Sequence, residues 1–224
     1  MNKSFLVLFF KKEHSQGTRP TMLTRRYLLA ASAAVIAMAL VGVPPARAAS
    51  ASQASAFINN FALELTQIVN GPEPAAQKKA ALGPVIDNNV DVAKIARFCL
   101  GRFWSTATPA QQTEYTQIFH QVLLNAISGH MGDYKGVSFT LTTDHPQGAD
   151  ELVGTVINRP NSPAANVQWV VDSSTGSPKI VDVVAEGTSL RLTQRSDYAS
   201  YLEHHGNDIG ALLAALHRQV AAAE

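Results

Sequence analysis

One cysteine in 224 residues leaves no partner for an intrachain disulfide and no C-x-x-C pair. Charged residues are sparse at 16%, against roughly a quarter in an average soluble chain. With 46% apolar residues, the chain is not disordered, because disorder needs high charge and little to bury. Gly and Pro are scattered without a period, which excludes a collagen-like chain. The longest uncharged apolar run, Leu28 to Val43, has 16 residues, short of the roughly 20 that a bilayer span needs. The sequence has no G-x-S-x-G elbow, no H-E-x-x-H and no phosphate-binding Gly loop.

The charge that is present is unevenly placed. Residues 1–48 carry seven Lys/Arg against one acid, Glu13, for +6; residues 49–224 carry 11 against 16, for −5. The body would repel phosphates, which excludes a nucleic-acid partner. The basic head reads as an address label. Arg25-Arg26 precede the apolar run, Pro44-Pro45 end it, and Ala46-Arg47-Ala48 is a small-x-small cleavage site. Residues 1–48 are therefore expected to be a cleaved signal region, with Met22 as the true start and residues 49–224 as one mature domain. The paired arginines leave both the general secretory (Sec) and the twin-arginine export route open. In the mature part, Cys99 is expected to be buried filler.

The first half of the mature chain has helical spacing. Phe57, Phe61, Leu65, Ile68 and Val69 form one stripe. A second helix is expected from Pro74 to Leu82, broken by Gly83-Pro84, and a third from an Asp91 cap to Gly101. Thr108-Pro109 opens a long helix carrying Tyr115, Ile118, Phe119, Val122, Leu123, Ala126 and Ile127. The second half changes period. Val137, Phe139 and Leu141 alternate with polar residues, and Leu152 to Ile157, Val167 to Val171 and Ile180 to Ala185 are β-branched runs. Turns are expected at Asp144-His145-Pro146, Arg159 to Pro163 and Ser173 to Pro178. Leu190 and Leu192 suggest a further strand. The chain closes in helix, divided at Gly206. This order is α+β: a curved antiparallel sheet of about four to five strands, covered by helices. Such a cone is either packed solid or holds a ligand.

Little in the sequence points to chemistry. The mature histidines (His120, His130, His145, His204, His205 and His217) lack metal-ligand spacing. Asp172 and Asp182, in successive strands, are a candidate carboxylate pair, though acids flanking turns are more often solvated. No catalytic residue, metal or cofactor is assigned.

Three stretches go beyond periodicity: Val92-Ala-Lys-Ile-Ala-Arg-Phe-Cys-Leu-Gly-Arg-Phe-Trp104, Thr108-Pro-Ala-Gln-Gln-Thr-Glu-Tyr115, and Val183-Val-Ala-Glu-Gly-Thr-Ser-Leu190 followed by Arg195-Ser-Asp-Tyr198. In this order they resemble the periplasmic phospholipid-binding proteins of the Mla lipid transport pathway, the MlaC or toluene-tolerance family. The resemblance spans Phe57 to Arg218. It implies an NTF2-like cone whose apolar cavity takes phospholipid acyl chains, without cofactor or chemistry. The implied role is a periplasmic shuttle between an inner-membrane ABC lipid transporter complex and an outer-membrane lipoprotein complex, a role tied to outer membrane lipid asymmetry. A hopanoid-associated branch of the family and an enzyme on a cone-shaped fold remain alternatives.

On that reading the cavity wall is expected from helix residues Ile95, Phe98, Phe103, Trp104, Ile118, Phe119, Val122 and Ala126. They face strand residues Phe139, Leu141, Val153, Val156, Val167, Trp169, Val171, Ile180 and Val184. Strand alternation sends about half of the latter to the other face. Arg102, Lys135 and Arg191 are candidates for a headgroup contact. Gly83-Pro84 and Gly129-His130-Met131-Gly132 are candidate hinges.

Overall fold

The division into a helical first half and an extended second half is realised in the structure, a computed structural model that describes residues 46–160 and 162–223, with side chains from residue 53. Of the expected signal region, residues 1–45, with Met22, lie outside the described residues; Ala46-Arg47-Ala48 begin the first helix. In order, the elements are α1 (Ala46–Asn70), α2 (Ala75–Asn89), α3 (Val92–Leu100), a 3-10 turn (Gly101–Ser105), α4 (Pro109–Ser128) and a second 3-10 turn (Met131–Tyr134). Then come β1 (Ser138–Gln147), β2 (Asp150–Arg159), β3 (Ser162–Asp172), β4 (Lys179–Ala185), β5 (Thr188–Ser189), α5 (Leu190–His204) and α6 (Ile209–Ala221).

Local chemistry accounts for the helix ends. Asp91 caps α3 by accepting from the Lys94 amide, and Gly101 ends it at φ 59°, a value that glycine adopts without a Cβ penalty. Thr108 caps α4 and forms a reciprocal capping box with Gln111. Two expectations give way. The break at Gly83-Pro84 does not occur, because Pro84 lies inside a continuous α2. Burial of Leu82 and Ile86 holds both halves down, and Lys179 Nζ donates to the last-turn carbonyls of Asp87 (3.2 Å) and Asn88 (2.6 Å). Leu190 and Leu192 form no strand but open α5. Ser189 accepts from the Leu192 amide and starts the helix there. Leu190 is then buried, and Leu192 faces solvent.

The sheet is an antiparallel meander in the order β1-β2-β3-β4-β5. The turn expected at 144–146 is instead strand: β1 pairs through His145 and Pro146 to Gln147, and the chain reverses at Gly148. Pro146 is tolerated because β1 is an edge strand, where a missing N–H costs no ladder bond. The register shifts at three places, once in each of the first three strand pairs, including between Ile157 and Arg159 of β2, and such bulges bend the sheet. In β1, Thr142 and Thr143 together face Gly154; in β4, Val181 lies between the partners of Val170 and Val171. Gly154 makes the first bulge possible, since a Cβ there would sit 2.5 Å from Thr142 Oγ1 and 3.2 Å from the Thr143 carbonyl.

Burial separates into two main regions. The concave face contributes Val153, Ile157, Val167, Trp169, Val171 and Ile180 beneath Ala54, Ile58 and Phe61 of α1 and Ile86 of α2. A second core is purely helical: α3, α4, α5 and α6 meet through Ala96, Leu100, Tyr115, Ile118, Phe119, Tyr198, Leu202, Leu212 and Leu216. The Tyr115 hydroxyl donates to the Ala96 carbonyl at 3.1 Å. Cys99 is buried in this core with its thiol pushed up to about 12 by burial, so it stays protonated filler.

Lys94 of α3 pairs with Asp172 at the end of β3. Hydrogen bonds from Lys94 and from Ser174 hold the Asp172 carboxyl at about 2, below its ordinary 3.8. A depressed carboxylate stabilises the fold above its unfolded pKa and loses that contribution as pH falls through its folded one. Wild type is therefore expected to be more stable than Asp172→Asn at neutral pH, with the gap closing between about pH 4 and about pH 2 in urea titrations. Gly154→Ala is expected to cost about 1–3 kcal/mol in the same assay, because the bulge must shift.

Candidate functional site

The two cores leave a hollow between them. Helices α1 and α2 lie over one part of the concave face, and α4 is held aside by the helical core. The result is a cavity of about 190 Å³. Its roof is three helical stripes at i, i+4 spacing: Phe61, Leu65 and Val69 of α1, Leu82 and Ile86 of α2, and Leu123 and Ile127 of α4. Its floor is Phe139 of β1, Ile157 of β2, Trp169 of β3, and Ile180 and Val183 of β4. Val90, Ile95 and Leu190 border it at one side, and Met131, Tyr134 and Val137 at the other. Of the twenty lining residues only Asp182 and Arg191 carry charge. Such a wall has nothing to offer water and favours hydrocarbon.

The Trp169 indole and the Asp182 carboxylate in the wall are already engaged. The Trp169 indole N–H donates to Thr155 Oγ1 at 2.9 Å, and the Thr155 hydroxyl donates on to the Val167 carbonyl at 3.3 Å. The indole is thereby fixed across the floor, with the Phe61 ring edge-on 5.6 Å away. The Tyr134 phenol is pushed up to about 12 by burial and stays neutral; the Arg159 guanidinium lies 5.0 Å from its ring. Asp182 accepts from the Val183 amide (2.8 Å), the Ser189 hydroxyl (2.6 Å) and the Arg191 amide (3.1 Å), with Arg191 Nε at 3.3 Å. Asp172 and Asp182 do not pair. Both are buried, each with its own cation, and neither is the solvated turn acid that sequence favoured.

Four of the seventeen expected wall residues line the cavity: Ile95, Phe139, Trp169 and Ile180. Val153, Val167 and Val171 belong to the same apolar cluster on the concave face but lie outside the lining. The others lie elsewhere. Phe103, Ile118, Phe119 and Val122 are in the helical core, with Trp104 packed against it. Ala126 is half-buried on α4 outside the lining, and Phe98 lies beneath Arg191 and Arg195. Leu141 is exposed, Val156 falls outside the lining, and Val184 packs on the convex face with Leu152, Val170 and Val181. On α4 the lining stripe is Leu123 and Ile127, about a quarter-turn from the stripe that sequence favoured. The contributions of α1, α2 and the 131–134 turn were missed. Their only sequence signal is the Phe61, Leu65, Val69 spacing, which marks an apolar face without saying what it meets.

Of the three headgroup candidates, Arg191 lines the cavity, while Arg102 is paired with Glu203 outside the lining and Lys135 is exposed beside Tyr134. Among the hinge candidates, Gly83-Pro84 is inside α2 and Met131 is a wall residue. Among the described residues no three His, Cys, Asp or Glu side chains converge on a metal position, and no helix is long and apolar enough to cross a membrane.

Comparison with known proteins gives two findings. The family described as MlaC protein matches residues 62–218. The fold matches a solved phospholipid-binding protein from Ralstonia solanacearum, determined in complex with a phospholipid, with a TM-score of 0.67 and 20% identity over 76% of this chain and 98% of that one.

The wall assignments separate two kinds of substitution. Ile127→Glu, at a half-buried lining position, is expected to fold yet lower affinity for an apolar fluorescent dye by about tenfold or more. Val122→Glu, in the helical core, is expected to abolish the cooperative thermal transition itself. Leu63→Glu, on the exposed face of α1, should change neither, which makes it the control.

Proposed function

The chain belongs to the MlaC family, and from that premise we propose that it is a phospholipid carrier that shields acyl chains in the cavity between the concave sheet face and α1, α2 and α4. The observation that carries this reading is the wall itself: a 190 Å³ hollow with two charged residues among twenty. The solved neighbour from Ralstonia, with a phospholipid bound, supports the same cargo on the same fold.

The energetics demand such a wall. Each methylene moved from a bilayer into water costs roughly 0.8 kcal/mol, so a chain of about fifteen represents on the order of 12 kcal/mol. A carrier extracts lipid only if its interior returns nearly all of that. A dry apolar lining does so without directional bonds, which keeps release as easy as capture. The wall also gains from being filled. An open void costs about 24 cal/mol per Å³, hence about 4–5 kcal/mol here.

Residues 22–48 have the form of an export signal, so the mature domain from residue 49 works in the periplasm. There it shuttles lipid between an inner-membrane ABC transporter complex and an outer-membrane lipoprotein complex. Its task is transfer without chemistry, and no cofactor enters it.

Protein purified from its native compartment and extracted with organic solvent is expected to yield stoichiometric phospholipid by mass spectrometry. A hopanoid in its place would reassign the cargo, and no lipid at all would overturn the carrier reading. Delipidation is expected to lower Tm by about 10 °C or more, since 1 kcal/mol moves Tm by about 2–4 °C in a chain of this size.

A further inference from the structure

We propose that Arg191 and Arg195 form a phosphate-binding station at the α5 end of the cavity, which takes the phosphodiester of the lipid headgroup while the chains lie in the hollow. The inference rests on the carrier reading and adds a polar subsite to it.

Arg191 is the only basic residue in the wall. Its carboxylate partner is Asp182, but that carboxylate already accepts two backbone amides and the Ser189 hydroxyl. Asp182 is therefore not dependent on Arg191 for its hydrogen bonds, and it does not exhaust the guanidinium. Of the five N–H donors an arginine has, Nε faces Asp182 at 3.3 Å and one Nη1 hydrogen goes to the Val181 carbonyl at 3.3 Å. The Nη2 pair and the second Nη1 hydrogen have no acceptor among the described residues. The Asp182 side chain is 4% exposed and that of Arg191 23%, so the pair is buried on its acidic side and open on its basic side.

Arg195 follows one turn later on α5 and is exposed. It has no hydrogen bond or ion pair among the described residues. It is nevertheless held in place. Its guanidinium lies 5.1 Å from the Phe98 ring centre, and that of Arg191 lies 4.7 Å from the same ring. A Cβ on Gly101 would meet Arg195 Nε at 2.9 Å, so the side chain runs along the bare backbone of that glycine. One aromatic ring thus orders two cations before any ligand arrives, which lowers the entropy cost of binding.

The charges match a lipid phosphodiester. Two guanidinium groups on the Phe98 ring against the single Asp182 carboxylate leave one positive charge beside Arg191, the residue that carries it to the cavity wall, and planar guanidinium forks suit phosphate oxygens. The first turn of α5 adds the positive end of its dipole at the same place. A ligand bound here would bridge an apolar hollow and a cationic rim, the division that a phospholipid itself has.

The test compares phosphatidylglycerol with diacylglycerol of identical chains, by native mass spectrometry of the delipidated mature protein. Arg195→Gln is expected to weaken phosphatidylglycerol retention about tenfold and leave diacylglycerol unchanged. Arg195→Lys should recover only part of the loss. Arg191→Gln should behave as Arg195→Gln does; the Arg195 variants decide the matter if removing the Asp182 partner prevents folding. Excess inorganic phosphate distinguishes the sources: competition with phosphatidylglycerol is expected, whereas phosphate that binds without competing would assign the station to the free ion and overturn a headgroup role. Equal losses for both lipids, or no change in either, would also overturn it. If the wild type retains neither lipid, the carrier reading fails instead.

Discussion

Helix α4 is committed to the helical core through Tyr115, Ile118, Phe119 and Val122, and this anchor keeps its neighbouring face from descending onto the sheet. Leu123 and Ile127 are then left looking into a space that no side chain fills. A helix with one apolar stripe closes on whatever it meets. A helix with two adjacent stripes closes on the partner that is braced more strongly and leaves the other stripe at a distance. Here the stronger partner is the set of α3, α5 and α6, and an aromatic cluster ties α4 to it: Tyr198 of α5 meets Tyr115 at 6.1 Å and Phe119 at 6.5 Å. The hollow is a consequence of that division rather than a defect in packing.

The sheet supplies the opposite wall because it cannot be flat. The bulges at Thr142-Thr143 and Val181 raise its twist on both sides of Trp169, and Gly154 gives the first of them room. Across the resulting concavity α1 is carried by Ala54, Ile58 and Phe61, and α2 by Leu82 and Ile86. Helix α2 is the weakest wall by its own sequence, since Pro84 removes one internal hydrogen bond. It is held from outside: Lys179 takes two of its last carbonyls, and Lys78 Nζ donates to the Val69 carbonyl of α1 at 2.6 Å.

A transport protein for hydrocarbon needs affinity without specific bonds, and the wall meets that need by keeping its polar atoms occupied among themselves. The indole N–H of Trp169 is spent on Thr155, and the Asp182 carboxylate on amides and a hydroxyl. Only the outward donors of Arg191, with Arg195 beside it, remain for a polar group. Asp172 and Asp182 are spent in the same way, each facing its own cation, Lys94 and Arg191.

Much of the fold was legible along the chain. Thr108-Pro109 and Asp91 mark helix starts by short-range hydrogen bonds, Gly101 marks a stop by its backbone freedom, and strand alternation marks the sheet, because each of these depends on residues within a few positions of one another. Where a local signal was ambiguous, longer contacts decided it. Pro84 stays helical because Leu82 and Ile86 are buried, Pro146 stays in a strand because β1 is an edge, and Leu192 joins a helix because Ser189 caps it. The site was legible in kind but not in membership. Composition and the quoted motifs indicated an apolar interior on an α+β frame. Which stripe of α4 faces the sheet, that α1 and α2 roof the hollow, and that Phe98 orders two arginines instead of lining it were settled only by tertiary packing. Periodicity shows that a face is apolar, but two apolar faces of one helix carry the same signal, and only the competition between their partners determines which one is buried and which one is left open.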